Sequence, residues 1–294
     1  MINPVSLDQR QKYIKIGGRL LDLSSPKIMG IINVTPDSFY KGSRVNGESE
    51  ILEMAKEMVS EGADILDIGG YSSRPYAADV NAEEELGRVE PAILAIRKAL
   101  PEIILSVDTF RADVAEASVS AGADIINDIS GGDADEKMFG LVSRLRVPYI
   151  MMHMQGSPSN MQDNPVYDDI VADILKWFSS RIYRLRSVGV SDIIIDPGLG
   201  FGKTIDHNFE IIRRLRDFEA AGLPLMIGAS RKSMIWKTLG IDPDAALNGT
   251  TVINTAAILG GADILRVHDV REAAETVRLI GRMMKNKRQV KFEI

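Results

Sequence analysis

The 294-residue chain contains no cysteine, which excludes disulfides, thiolate metal sites and a cysteine nucleophile and agrees with a reducing compartment. It also lacks a large excess of either charge. Its 35 basic and 41 acidic residues leave a net charge of −6, which does not suggest a nucleic acid or other polyanion as partner. Any anion binding therefore falls to local basic clusters. No apolar run approaches the ~18 residues of a membrane span, and the opening MINPVSLDQRQK has no basic-then-apolar export pattern. A soluble cytoplasmic protein without a membrane partner is the expectation. Linkers, charge blocks and low-complexity tracts are missing too, so the 45% hydrophobic content points to one large core.

What is present is a phrase that recurs: GADILDIGG at Gly62 to Gly70, GADIINDIS at Gly122 to Ser130 and GADILRVHD at Gly261 to Asp269. Each follows a helical pattern, and a glycine, a short turn and a β-branched run describe one helix-to-strand joint. Eight strands are predicted: Lys27 to Val34, Ile65 to Gly70, Ile103 to Thr109, Ile125 to Ser130, Pro148 to Met154, Ile193 to Pro197, Leu223 to Ala229 and Ile264 to Val267. Helical patterns such as Glu48 to Glu61, Ala82 to Ala99 and Asp168 to Ser187 separate them. Strand alternating with helix eight times predicts a (β/α)8 TIM barrel over residues 27–294, with an open doubly wound sheet as the alternative. Residues 1–26 form an extension in which Gly17 and Gly18 turn a short β-hairpin, a lid or plug for the barrel.

Barrel chemistry sits where strands end at the carboxyl face, so the polar residues there are the candidates. Asn33, before Thr35, Pro36 and Asp37, is either a turn residue or an amide facing a hard cation or a phosphate. Ser72, Ser73, Arg74 and Pro75 offer hydroxyls and a guanidinium to a phosphate, or are simply solvated. Asp108, Asn127, Asp128 and Asp196 end apolar strands, where a carboxylate is costly unless partnered. Carboxylate and carboxamide together suit the edge of a planar heterocycle; helix capping is the competing reading for Asp108 and the preferred one for Asp128. GLGFGKT is not a phosphate-binding loop, because Pro197 stands where its first glycine belongs. Ser230, Arg231, Lys232 and Ser233 after the seventh strand and Arg266 and His268 on the eighth fit the phosphate site that barrels build there. His153 and His207 read as structural.

Eight blocks occur in order between Ile28 and Val270: MGIINVTPDSF, DIGGYSSRP, SVDTF, NDISGG, MMHMQGSP, IDPGLGFGK, GASRKS and RVHDV. Together they closely resemble the dihydropteroate synthase family. The resemblance implies a (β/α)8 barrel, usually a homodimer, that joins a dihydropterin methyl diphosphate to p-aminobenzoate and releases diphosphate in folate biosynthesis. By resemblance, Asp108, Asn127, Asp196 and Lys232 hydrogen-bond the pterin, and Met152 and Phe201 line its pocket. Asn33 contacts Mg²⁺ and diphosphate, while Arg74, Arg266 and His268 hold the diphosphate and Arg266 also stacks on the pterin. Ser73, Phe39, Pro75 and Ser230 border the p-aminobenzoate site. The catalytic set is then Asp108, Asp196, Lys232, Arg266 and His268.

The chain departs from the family pattern at Tyr40 to Ser43, Tyr71 and Tyr76, in the loops after the first two strands. A methyltetrahydrofolate-binding methyltransferase and a non-catalytic pterin-binding homologue are the rival readings. The first needs no diphosphate cluster, and the second would release no diphosphate.

Overall fold

The computed structural model describes residues 10–34, 44–71, 80–156, 161 and 165–285. The chain starts with an antiparallel hairpin of β1 (Tyr13–Ile16) and β2 (Arg19–Asp22). Gly17 and Gly18 turn it with φ of 52° and 84°, the positive values that a two-residue hairpin turn demands. Eight parallel strands follow: β3 (Lys27–Asn33), β4 (Ile65–Gly69), β5 (Ile104–Asp108), β6 (Ile125–Asp128), β7 (Tyr149–Met152), β8 (Ile193–Asp196), β9 (Met226–Ile227) and β10 (Ile264–Val267). Each pairs with its sequence neighbour except β8 with β9, and β10 returns to β3. One parallel bridge between Ile195 and Leu225 joins β8 to β9 and closes the ring. The doubly wound alternative is thereby excluded.

Seven of the eight predicted strands are present to within a few residues, but β9 shrinks to two. Pro224 has no N–H to give to a ladder, and the Leu225 N–H donates instead to Asp263 Oδ2 at 2.9 Å. That bond belongs to a rule. The aspartate of each GAD phrase accepts a backbone N–H at the beginning of the neighbouring strand, within one residue of its first: Asp64 from Ile28, Asp124 from Leu105 and Asp263 from Leu225, each at 2.9 Å. The glycine before it has φ of 112°, 120° or 100°, a left-handed joint that strains any residue with a Cβ. The repeated phrase is thus a stitch at the amino-terminal end of the barrel, opposite the strand ends.

Alternation sorts the strand residues into two cores. Leu265, Val267, Leu66, Ile68, Leu105 and Val107 face outward into the layer between strands and helices. Met29, Ile65, Ile125, Ile150, Ile194, Met226 and Ile264 face inward and pack with Ile14, Ile16 and Leu23 of the hairpin segment. The hairpin is therefore a plug at the amino-terminal end rather than a lid over the strand ends. Helices α1 (Arg44–Glu61), α2 (Ala82–Ala99), α3 (Ala112–Ala121), α4 (Met138–Leu145), α5 (Ile170–Ser187), α6 (Ile205–Arg213), α7 (Ser233–Leu239), α8 (Leu247–Leu259) and α9 (Val270–Lys285) cover the outside. None of the helices is long and apolar enough to cross a membrane among the described residues.

Candidate active site

Two residues beyond the inward apolar layer, the strands turn polar. Arg266 on β10 donates from Nε to Asp67 Oδ2 and from Nη2 to Asp108 Oδ2, both at 2.6 Å. Asn127 on β6 donates from Nδ2 to the same Asp67 oxygen at 2.9 Å. Asp67 is fully buried, and its Oδ1 has no hydrogen-bond partner among the described residues. Three strands thus meet at one carboxylate, to which no role was assigned from the sequence, and Arg266 ties in a fourth through Asp108. A signal for it existed. Asp67, Asn127 and Arg266 are each the sixth residue of a GAD phrase, so the three copies place them at one depth in the barrel.

Burial pushes the Asp108 carboxyl up to about 7; the Arg266 charge opposes that shift and the Asp67 carboxylate adds to it. For Arg266, burial works against the charge, but the two carboxylates outweigh it and hold the guanidinium firmly protonated. Asp196, at the end of β8, is also raised by burial against the opposing charge of Lys232, while its Oδ1 accepts the Gly198 N–H at 2.7 Å. Lys232 follows the adjoining β9. Its Nζ donates to the Leu199 carbonyl and sits 4.7 Å from the centroid of the Phe201 ring, a cation–π distance. Burial draws this ammonium down to about 8.

Met152, at the end of β7, is buried beside the Asp196 strand end to which it is registered. Side-chain-free Gly228 leaves room between Lys232 and Arg266, for a Cβ there would meet both within 4 Å. Asn33 Oδ1 and Asp108 Oδ2 both lie within 4 Å of the same point above Gly69. At the rim, exposed His268 donates its backbone N–H to Ser230 Oγ at 3.2 Å, and its Nδ1 lies 3.1 Å from the same oxygen. Arg231 turns away from this cluster, with φ of 52° and a bidentate pair to Asp269 at 3.0 and 2.7 Å. Of Arg231, Lys232 and Arg266, only Lys232 and Arg266 point into the barrel.

Phe39, Ser73, Arg74 and Pro75, together with Asp37, lie outside the described residues. Tyr71 is described: its ring meets Phe110 edge-on at 5.1 Å under the Arg111 guanidinium. Asp128 is not a helix cap. It gathers Ser130 N–H and Oγ, Gly132 N–H and the Tyr149 hydroxyl, ordering a loop well before α4 begins. His207 is structural, closing a reciprocal cap with Thr204 at the start of α6. His153 is buried against Trp177, with ring centroids 5.0 Å apart.

The wall is thus apolar and aromatic, with carboxylate, carboxamide and ammonium groups converging from opposite strands, a lining suited to a flat polar heterocycle. Comparisons with known proteins agree with that geometry. Residues 29–268 match the family model described as pterin binding enzyme. The dihydropteroate synthase of Escherichia coli (strain K12) is 41% identical over 278 residues, which span 94% of this chain and 98% of that relative. A Yersinia pestis dihydropteroate synthase structure with a sulfonamide drug superposes with a TM-score of 0.87 at 40% identity, covering 93% of this chain and 99% of that one. The Xanthomonas albilineans dihydropteroate synthase in complex with 7,8-dihydropteroate gives 0.83 at 34% identity, covering 92% and 98%. With a family match across most of its length and a relative of this identity at nearly full coverage, the chain belongs to the pterin-binding enzyme family, among the dihydropteroate synthases.

Proposed function

We propose that the protein condenses (7,8-dihydropterin-6-yl)methyl diphosphate with 4-aminobenzoate to 7,8-dihydropteroate and diphosphate. The carrying observation is the convergence of Asp108, Asn127, Asp196, Lys232 and Arg266 from separate strands onto one inward space at the carboxyl end of the barrel. Asp108, Asn127, Asp196 and Lys232 supply the acceptors and donors along the pterin edge, and Met152 and Phe201 its apolar walls. Arg266, already clamped in plane by two carboxylates, stacks on the ring and faces the diphosphate together with His268 and Arg74. Ser230, Ser73, Phe39 and Pro75 border the arylamine.

The methylene carbon–oxygen bond breaks first, leaving positive charge on the electron-rich pterin. Asp108 and Asp196 stabilise that charge because a carboxylate in a dry pocket acts through a low dielectric. The arylamine nitrogen then attacks the methylene cation and gives up its proton to solvent water or the departed diphosphate, so no enzyme nucleophile is needed. Among the described residues no group of three or more His, Asp or Glu could hold a metal by itself. A Mg²⁺ ligated mainly by diphosphate and water needs no such cage, and the Asn33 amide oxygen, beside Asp108, fits as its protein contact. Mg²⁺ held there would offset the charge of the departing diphosphate.

A homodimer is part of this reading. The adjoining helices α8 and α9 expose Val252, Leu259, Leu279 and Met283, an apolar surface that a second copy would cover. Light scattering at micromolar concentration would read out twice the 32.3 kDa chain mass. The activity itself is tested by incubating the protein with both substrates and Mg²⁺ and following dihydropteroate and diphosphate by chromatography. Pterin binding without either product would leave a non-catalytic homologue as the answer.

A further inference from the structure

We propose that Lys203 is a positioning residue for the pterin site, acting through the backbone that carries Phe201 and Met152; the inference rests on the functional reading above. Lys203 is 3% exposed and has no place in the chemistry described so far. Its Nζ lies 2.8 Å from the Phe201 carbonyl, 3.2 Å from the His153 carbonyl and 3.0 Å from His153 Nδ1. Phe201 is one pterin wall, and His153 immediately follows Met152, the other. One buried amine therefore bridges the backbone behind the two walls.

The surroundings are built to the same end. The loop from Gly198 to Gly202 lies flush on the backbone after β7: a Cβ on Gly198 would stand 2.1 Å from the His153 carbonyl, and one on Gly202 2.5 Å from the Gln155 carbonyl. Two glycines permit the approach, and polar contacts hold it. Besides Lys203, the Tyr167 hydroxyl donates to the Gly202 carbonyl at 2.7 Å and the Asn208 amide oxygen accepts the Gly200 N–H at 2.7 Å. Three polar atoms surround the Lys203 Nζ, two carbonyl oxygens and one ring nitrogen, and they occupy all of its hydrogen-bonding capacity. Burial draws this amine well below the usual lysine value, and the neutral form keeps all three contacts by accepting the His153 Nδ1–H in that tautomer. The His153 imidazole beside it is held neutral, its value drawn down to about 2 by burial and the adjoining Lys203.

Two variants test the role: Lys203→Met keeps the stem and removes every donor, whereas Lys203→Gln keeps two donors. Against wild-type enzyme, the KM for dihydropterin methyl diphosphate should rise about tenfold in Lys203→Met and about threefold in Lys203→Gln, because misplaced walls lose contact with the ring. The KM for p-aminobenzoate should stay within about twofold in both, since general loosening would move the two constants together. If Lys203→Met does not fold, Lys203→Gln carries the test on the same criteria. A pterin KM unchanged in both variants, or both KM values rising in parallel, overturns the positioning role. A wild-type protein that forms no dihydropteroate overturns the functional reading instead, and is told apart by that control alone.

Discussion

Asp108→Asn should make the protein slower and more stable at once, and the gain in stability should grow with pH. The carboxyl stands near 7 in the folded chain because burial outweighs the attraction of Arg266, against 3.8 for a free aspartate. The sign follows from proton linkage. A raised folded-state value means that the folded protein binds the proton more tightly, so ionisation of Asp108 costs stability progressively as pH rises between about 4 and 7. Asparagine resembles the neutral acid and escapes that cost, so its advantage over wild type should increase by on the order of 2 kcal/mol between pH 5 and pH 8. Urea unfolding of both proteins at the two pH values measures the difference through the shift in midpoint. Turnover should fall by about 30- to 1,000-fold, the ~2 to 4 kcal/mol of barrier that one preorganised electrostatic group commonly supplies. A stability difference independent of pH would refute the raised carboxyl. Wild-type turnover would refute its role opposite the developing cation.

Asp108 must be ionised and Lys232 protonated, so kcat/KM should rise through about pH 7 and fall above about pH 8; a flat profile from pH 6 to 9 would contradict that pairing. Lys232→Ala should raise the pterin KM by about 10- to 100-fold, the worth of a charged hydrogen bond. Its circular dichroism and melting should stay close to wild type, and an unfolded variant would count against a binding role. Ile16→Ala should lose about 2 to 5 kcal/mol of stability in urea, as core truncations do, because the fully buried side chain seals the amino-terminal end. Its KM values should not move, since the plug lies at the opposite end from the substrates.

The fold was legible because its signals are local. Apolar runs of four to seven residues between helical patterns place the strands, and Gly17-Gly18 marks the hairpin without reference to anything distant. β9 was overestimated because apolar Leu223, Leu225, Met226 and Ile227 read as one long strand, whereas pairing there depends on Asp263, 38 residues further on, capturing the Leu225 N–H. The hairpin's place was not legible either. Alternating Ile14 and Ile16 reveal one apolar face but not which end of a barrel it covers, and only the inward layer of Met29, Ile65, Ile125, Ile150, Ile194, Met226 and Ile264 supplies a surface to meet it.

The site divides in the same way. Its inward positions follow from period-two alternation, which is why Asp108, Asn127, Asp196 and Arg266 could be singled out strand by strand. Which of them touch is set by ring closure, since β4 and β10 are neighbours only through β3. Asp67 escaped for this reason: read along its own strand it is a lone acid in ILDIG, but across the ring it is the common acceptor of Arg266, 199 residues away, and Asn127, 60 residues away. Lys203 escaped for another. In sequence it closes a glycine loop that lacks the phosphate-binding pattern and has no role of its own, and its burial arises only because Gly198 and Gly202 let that loop press onto the backbone after β7. The repeated GAD phrase links both levels. Its aspartates fix the vertical register of neighbouring strands at one end of the barrel, and that register brings the sixth residues, Asp67, Asn127 and Arg266, to a common depth at the other. A one-residue slip at any of the three stitches would turn the corresponding polar side chain into the outer core and dissolve the cluster.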